Sequence, residues 1–339
     1  EILGTGFVGE NQKFAPDDPL YKKEHDFDFP KNFGPRLLGT DDFGTEIMNT
    51  VYGEISYDRP DLWRNFCNYY FNCLRDVDRH MMKLIHSLEE TGQMDNTIIF
   101  MISDHGEMLG QQGSRGKIVS WEESIRVPTL VYHPDLKDKK LCNSVISNID
   151  IVPTLLEFTG LSKSELRDKH PELKGNSYAE LVENVNYDNV RDKEGHLIHG
   201  VQIIPTVFEV AEKFRHTALA DGFLAKTKAF MSEGKFLPDF TPPLNYKGVV
   251  DKKHKFLRFF SPRQNNIPTN YDELTKYNAE YQLYDLENDP FEMNDLAKDE
   301  NNRDLLMSMN DKCNTLADKE IGLENHVIHL PGPDWFWTA

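Results

Sequence analysis

Apolar side chains recur at helical spacing through residues 57–91. Leu62, Phe66, Tyr69, Tyr70, Cys73, Leu74, Val77, Met81, Leu84, Ile85 and Leu88 follow a 3.6-residue period, and Gly92 comes next as a stop. One long amphipathic helix is predicted there. The period then changes: residues 97–103, TIIFMIS, form a continuous apolar and β-branched run with polar neighbours on both sides. That is the pattern of a parallel strand buried on both faces. A helix-like WEESI, a short strand over residues 129–133 and the segment SVISNIDIVPTLLEFTG continue the alternation, with Asp150 predicted to cap a helix ending at Gly160. Helix, buried strand, loop, helix and strand in this order predict an α/β sheet.

The flanks differ from this centre. Residues 1–55 are rich in Pro, Gly, Asp and Lys and hold no period for long, so they read as an extended surface segment. Beyond Gly160 the chain turns polar and partly loop-like to residue 200. HTALAD, FLAKTKAF, KFLRFF and YQLYDL then resemble strands of a smaller antiparallel sheet, and residues 300–319 a closing helix. The expected organisation is residues 1–55 as surface segment, 56–215 as the main α/β region and 216–339 as a smaller subdomain of antiparallel sheet, helix and tail.

Composition narrows the function. The 339 residues carry 38 basic and 56 acidic side chains, a formal charge of −18, which repels polyanions and argues against nucleic acid as a partner. An anionic substrate must therefore be met by a local cation. The four cysteines, Cys67, Cys73, Cys142 and Cys313, are too few and too scattered for a disulfide framework or a zinc cluster and read as buried free thiols. No apolar run approaches the roughly 20 residues of a membrane helix. The compartment stays open, and an oligomer is compatible with the sequence.

Chemistry concentrates in residues 103–117, SDHGEMLGQQGSRGK, which begin where the apolar strand ends. In open α/β sheets ligands bind just beyond the carboxyl ends of strands, so Asp104 and His105 stand where a site is expected. An adjacent carboxylate and imidazole can face one divalent cation if the backbone turns at Gly106, and the pair alone does not choose between calcium, manganese and zinc. Gly106, Gly110, Gly113 and Gly116 allow a tight loop that approaches a ligand closely. Lys117 then supplies a point positive charge for an oxyanion. Taken singly, an Asp-His-Gly is a strand-to-turn junction and a lysine after a glycine-rich loop is a solvated side chain. The whole string changes that reading.

TIIFMISDHGEMLGQQG followed by GK and WEESIRVPTLVYHP resembles the second metal motif, substrate lysine and following strand of the sulfatases of the alkaline-phosphatase superfamily, in their choline-sulfatase-like or phosphonate-monoester-hydrolase-like form. SNIDIVPTLLEFTG is similar to that family's Asp-Ile-x-Pro-Thr-Leu helix and YQLYDLENDPFEMNDLA to its C-terminal hairpin, so the resemblance covers roughly residues 57–160 and 250–320. It implies an alkaline-phosphatase-like mixed sheet sandwiched by helices, and hydrolysis of a small or carbohydrate sulfate ester. Asp104 and His105 would be metal ligands and Lys117 a catalytic, substrate-binding residue. One divalent metal is implied, calcium first with manganese or zinc as alternatives.

The family's nucleophile is a Cys or Ser in Cys/Ser-x-Pro-x-Arg, the Cys being converted to formylglycine, and no such motif occurs in the chain. Cys67 precedes NYYF, Cys73 LRDV, Cys142 NSVI and Cys313 NTLA, while SPRQN at Ser261 has the wrong spacing. The family's N-terminal Asp-Asp pair is not identifiable either, since Asp41 and Asp42 follow no apolar strand and Asp17 and Asp18 precede a proline. The expectation is an N-terminally incomplete sulfatase, inactive as it stands. The alternatives are a phosphodiesterase or phosphonate monoester hydrolase of the same fold, and a noncatalytic scaffold or binding subunit. His25, His80, His86, His196, His199, His216 and His254 and the aromatic cluster Trp335, Phe336 and Trp337 are weighed and not assigned to the site.

Overall fold

The computed structural model describes residues 22–34, 55–117, 119–136, 139–201, 245–260, 266–277 and 280–322. The chain divides into two compact units, Glu1–Lys137 with Thr217–Phe223, and Asp138–His216 with Leu224–Ala339. Asp17, Asp18, Asp41, Asp42, Ser261, His216, Trp335, Phe336 and Trp337 lie outside the described residues, as do the expected strands HTALAD and FLAKTKAF.

In the first unit the predicted long helix is α1, Pro60–Glu90, 31 residues with the proline in its first turn, where no backbone N–H is needed. It stops because the Thr91 and Gly92 amides turn back to the Ser87 and Glu89 carbonyls and Gly92 takes φ +65°, a conformation that costs glycine little. Its N-terminal half buries Trp63 and Cys67. The irregular residues 22–34 lie along that half. Asn72 donates to the Lys23 carbonyl (2.9 Å) and pairs with His25 Nε2 (3.0 Å), while the His25 amide donates to Asn68 (2.9 Å). Phe27, Phe29, Phe33, Tyr57 and Trp63 add an edge-to-face and stacked aromatic cluster. From the middle of the helix onward Leu74, Val77 and Leu84, on the apolar stripe by spacing, are exposed, Leu84 at 69%.

The apolar run becomes a shorter strand than predicted, β1, Ile99–Ile102, and after the one-turn helix α2, Glu122–Ile125, the chain returns as β2, Thr129–Tyr132. Here the structure corrects the sequence reading. The two strands pair antiparallel, with Phe100 opposite Val131, and β1 is not buried on both faces: Ile102 is 42% exposed. An apolar run records how much surface a strand can bury; partner and direction are set by the connection between strands, which the run does not encode.

The second unit opens with α3, Ile151–Phe158, followed by α4, Lys163–Lys169, α5, Ala179–Glu183, and α6, Val190–Glu194. Gly160, at φ +96°, ends α3 as predicted. Asp150 does not cap it. Its buried carboxylate instead accepts the Ser147 and Asn176 amides (2.9 and 2.7 Å) and both Nε and Nη2 of Arg191 (2.5 and 2.6 Å), and Arg191 Nη1 reaches Glu320 (3.1 Å). A side chain that could have satisfied one helix terminus thus ties three separate segments together.

Four antiparallel strands follow in spatial order: β3, His196–Val201; β4, Asn245–Val250; β5, His254–Phe260; and β6, Glu280–Asp285. The smaller antiparallel sheet is therefore present, with its first strand at 196, ahead of the expected start at 216. Helix α7, Tyr271–Tyr277, precedes β6, and the closing helix α8, Arg303–Glu320, lays Leu306, Met309, Cys313 and Leu316 on Val249, Phe256 and Leu283. Lys255 and Glu292 pair at 2.7 Å with both side chains buried. All four cysteines are free, but only Cys67 and Cys313 are buried; Cys73 is half-buried and Cys142 exposed. No helix among the described residues is long and apolar enough to cross a membrane.

Two stability predictions follow from the buried charges. Replacing Arg191 by Met strands the Asp150 and Glu320 carboxylates, and unfolding stability should fall by about 3–5 kcal/mol, read as a lower urea midpoint at unchanged slope. At Asp251 burial raises the carboxyl, but Lys312 and the His254 and Lys253 amides outweigh it and hold it below the usual range. The stabilisation is complete above the unfolded value of about 4 and is lost as pH falls through the lower folded value. Asp251→Asn should therefore destabilise at neutral pH, with the difference from the parent closing in acid. A constant difference across pH would show that the charge of Asp251 is not what stabilises.

Candidate active site

The predicted site residues Asp104, His105 and Lys117 come together at the end of β1. His105 Nε2 lies 3.2 Å from Asp104 Oδ2 and 2.6 Å from Lys117 Nζ, although Lys117 is twelve positions further along the chain. His105 Nδ1 stands 2.9 Å from the Gly106 carbonyl, and the Asp104 carboxylate accepts the His105 amide at 3.0 Å. A carbonyl only accepts, so Nδ1 is placed to donate to Gly106; Nε2 faces both the Asp104 carboxylate, which only accepts, and the Lys117 ammonium, which only donates. Asp104 is 83% exposed and His105 35%, so the donors open to solvent.

At Gly106 the chain passes close against residues 123–124 of α2; the bend itself lies at Asp104. Gly106 N donates to the Ser124 carbonyl at 2.8 Å, and a Cβ at Gly106 would sit 2.0 Å from the Glu123 carbonyl oxygen. The loop beyond it is closed by its own backbone. Met108 N donates to Gly116 O (2.9 Å), Gly110 N to Ser114 O (2.9 Å) and Gln111 N to Met108 O (2.7 Å), while Gly116 N donates to the Glu107 carboxylate (2.6 Å). Gly110, Gly113 and Gly116 all take positive φ, as do Leu109 and Gln112. From outside the loop, Asn32 O accepts the Gln112 amide (2.8 Å), Asn32 Nδ2 donates to Glu123 (2.6 Å) and the Tyr57 hydroxyl donates to Gly110 O (3.2 Å). Burial pushes the Glu107 carboxyl up, opposed by the Gly116 amide and by the charges of Lys117, His105 and Arg115.

Glu107, Asn32, Glu123 and Tyr57 were not singled out from the sequence. Glu107 stands inside the motif string; the other three have no signal in sequence because their roles depend on contacts made across long separations. The histidines weighed from sequence have other surroundings: His25 bonds to Asn68 and Asn72, His80 and His86 lie on α1, His196 and His199 on β3 and His254 on β5.

Two lone-pair donors 3.2 Å apart, one carboxylate oxygen and one imidazole nitrogen with its ring held by a backbone carbonyl, suit one edge of a metal shell. Among the described residues no group of three or more His, Cys, Asp or Glu side chains could hold a metal ion, so these two would be an incomplete set of ligands. The position of Lys117 makes it a competitor for the Nε2 lone pair and a ready cation for an anion bound alongside.

Comparison with known proteins extends this picture. The sequence model of the family described as Sulfatase matches residues 8–161. The choline-sulfatase of Rhizobium meliloti is 37% identical over 98 residues, 29% of this chain and 19% of that protein. A phosphonate monoester hydrolase from Silicibacter pomeroyi matches in structure with a TM-score of 0.55 at 18% identity, over 87% of this chain and 51% of that one. A 2-O GAG sulfatase matches with a TM-score of 0.58 at 14% identity, over 100% of this chain and 62% of that one. The chain thus has the fold of these neighbours. It spans roughly half the length of the solved chains and about a quarter or less of the curated relatives.

The close approach of Gly106 to α2 gives the direct test of this geometry. Gly106→Ala should separate the end of β1 from α2 and lower stability by about 1–3 kcal/mol, the usual cost of overpacking a tight contact. The measurement is the thermal midpoint; a variant that melts with the parent would mean that the contact between Gly106 and residue 123 yields freely.

Proposed function

We propose that the chain, whose residues 8–161 match the Sulfatase family model and whose fold is that of solved sulfatases, forms part of a sulfuric ester hydrolase acting on a small or carbohydrate sulfate ester. The observation that carries the reading is the meeting of Asp104, His105 and Lys117 at one solvent-open point.

Asp104 and His105 would hold a divalent cation, calcium first and manganese or zinc as alternatives. Such a cation, when bound, supplies Lewis-acid polarisation of an ester oxygen. Asp104 contributes charge and His105 a nitrogen whose direction is fixed through Nδ1 and the Gly106 carbonyl. Lys117 binds the nonbridging oxygens and offsets the negative charge that builds on them as the ester bond breaks. Its four-carbon stem lets the ammonium swing from Nε2 onto a substrate oxygen without moving the backbone. The reading requires a nucleophile, formylglycine from a Cys-x-Pro-x-Arg segment, and residues 1–339 contain no such segment. A second reading, a phosphonate monoester hydrolase or phosphodiesterase, draws on the structural likeness to the Silicibacter pomeroyi enzyme.

The test is turnover by the protein purified from its source, with 4-nitrophenyl sulfate and a 4-nitrophenyl phosphonate ester compared side by side. Faster sulfate hydrolysis supports the first reading and faster phosphonate hydrolysis the second. Neither reaction, together with no formylglycine on peptide mapping, would leave a noncatalytic binding subunit. Lys117→Ala should lower kcat/KM by about 10²–10³-fold, the usual cost of removing one oxyanion donor. Chelation should abolish turnover, with calcium restoring it better than manganese or zinc.

A further inference from the structure

Lys117 returns to His105 across a loop whose two ends are gripped at a single peptide, Gly116. The grip comes from two adjacent residues. Met108 N donates to Gly116 O at 2.9 Å, and Gly116 N donates to Glu107 Oε1 at 2.6 Å, so both faces of the residue immediately before Lys117 are held. The first bond is backbone to backbone and any residue at 108 could make it. The second needs a side-chain acceptor of the right length at 107. Gly116 itself sits at φ +84°, where the chain has no neighbouring helix or strand to fix its course. Release of its amide would leave the residue before Lys117 with one of these two bonds, the one from Met108 N to its carbonyl.

We propose that Glu107 is a positioning residue: by accepting the Gly116 amide, its carboxylate locks the glycine-rich loop in the closed form that delivers Lys117 Nζ to the Asp104–His105 pair. The role rests on the sulfatase reading only where turnover is measured; the placement of Lys117 can be followed without it. A misplacement of about 1 Å at a charge-stabilising group can cost on the order of 10²-fold in rate. Glu107 needs no contact with substrate to act in this way. Its substitution should spare binding determined elsewhere and fall on kcat, through Lys117.

The experiment compares Glu107→Ala, Glu107→Gln, Lys117→Ala and the double variant E107A/K117A in the protein from its source, with 4-nitrophenyl sulfate as substrate. Gln keeps an acceptor oxygen at the same reach, so E107Q should stay within about threefold of the parent, whereas E107A should lose about 10–10²-fold, mostly in kcat. E107A/K117A should be no worse than Lys117→Ala alone, because a residue acting only through Lys117 has nothing further to lose. Additive losses in the double variant would overturn the proposal, as would an E107Q as impaired as E107A.

A second readout separates failure of this idea from failure of the sulfatase reading. Native-state acetic anhydride labelling followed by peptide mass spectrometry should show Lys117 severalfold more reactive in E107A than in the parent or E107Q, with Lys83 and Lys169 unchanged. Unaltered Lys117 labelling in E107A overturns the proposal whether or not the protein hydrolyses a sulfate ester. Should E107A lose its thermal transition, Glu107→Asp takes its place: it keeps the charge but withdraws the carboxylate by about 1.5 Å, beyond reach of the amide.

Discussion

A loop of glycines can approach a ligand only if its own backbone amides are satisfied on the way, and that constraint governs the site. Each buried N–H left without an acceptor costs as much as a lost hydrogen bond. Between Gly106 and Gly116 the amides of Gly106, Met108, Gly110, Gln111, Gln112, Ser114 and Gly116 all find acceptors, most of them carbonyls of the loop or of its immediate supports. The acceptors come from three directions: the loop itself, the α2 turn at Ser124 and the Asn32 carbonyl. Lys117 meets His105 because these bonds leave the backbone few other paths. The segment at residues 22–34, featureless by period, is thereby part of the support, fastened to α1 by Asn68 and Asn72 and to the loop by Asn32.

The second unit solves a different problem, the burial of charge. Asp150, Arg191, Lys255, Arg258 and Glu292 are all buried, and an isolated buried ion costs several kcal/mol. Arg191 spans Asp150 and Glu320, and Lys255 meets Glu292. Arg258 is handled with neutral acceptors, Asn310 Oδ1 at 2.6 Å and Asn266 O at 2.9 Å, and burial pushes its pKa down accordingly. Paired charges of this kind gain little net stability over apolar packing, but breaking one by removing a partner leaves an uncompensated buried charge. Arg191 joins residues near 150, 191 and 320.

The sequence made local periodicity and motif chemistry legible. α1, the stop at Gly92, the end of α3 at Gly160, β5, β6 and α8 all follow from spacing and turn residues that act within a few positions. Asp104, His105 and Lys117 were readable because one short string contains them. What escaped depended on distant partners. The antiparallel pairing of β1 with β2 is decided by the 26 residues from 103 to 128 that connect them. Asp150 has the chemistry of a cap, and partners away from that helix terminus, Asn176 and Arg191 among them, 26 and 41 positions on, divert it. Glu107 sat in plain view, yet its role needs the loop to have closed.

Electrostatics bears on which ester such a site would prefer. The 339 residues carry a formal charge of −18, so an approaching dianion is repelled about twice as strongly as a monoanion at the same distance. A sulfate monoester carries one negative charge, and so does a phosphonate monoester or a phosphodiester. A phosphate monoester carries close to two at neutral pH. A single lysine beside a carboxylate offsets about one charge, and Asp104 at 3.2 Å from His105 adds negative potential at the point where the substrate must sit. Under the proposed function, the chain's own charges oppose a dianionic phosphate monoester more than a monoanionic ester, and a divalent cation held by Asp104 and His105 would add two positive charges to that balance. Among monoanionic esters the choice between sulfur and phosphorus turns on the geometry of the oxygens around the central atom, and Lys117, whose ammonium can follow those oxygens, tolerates either.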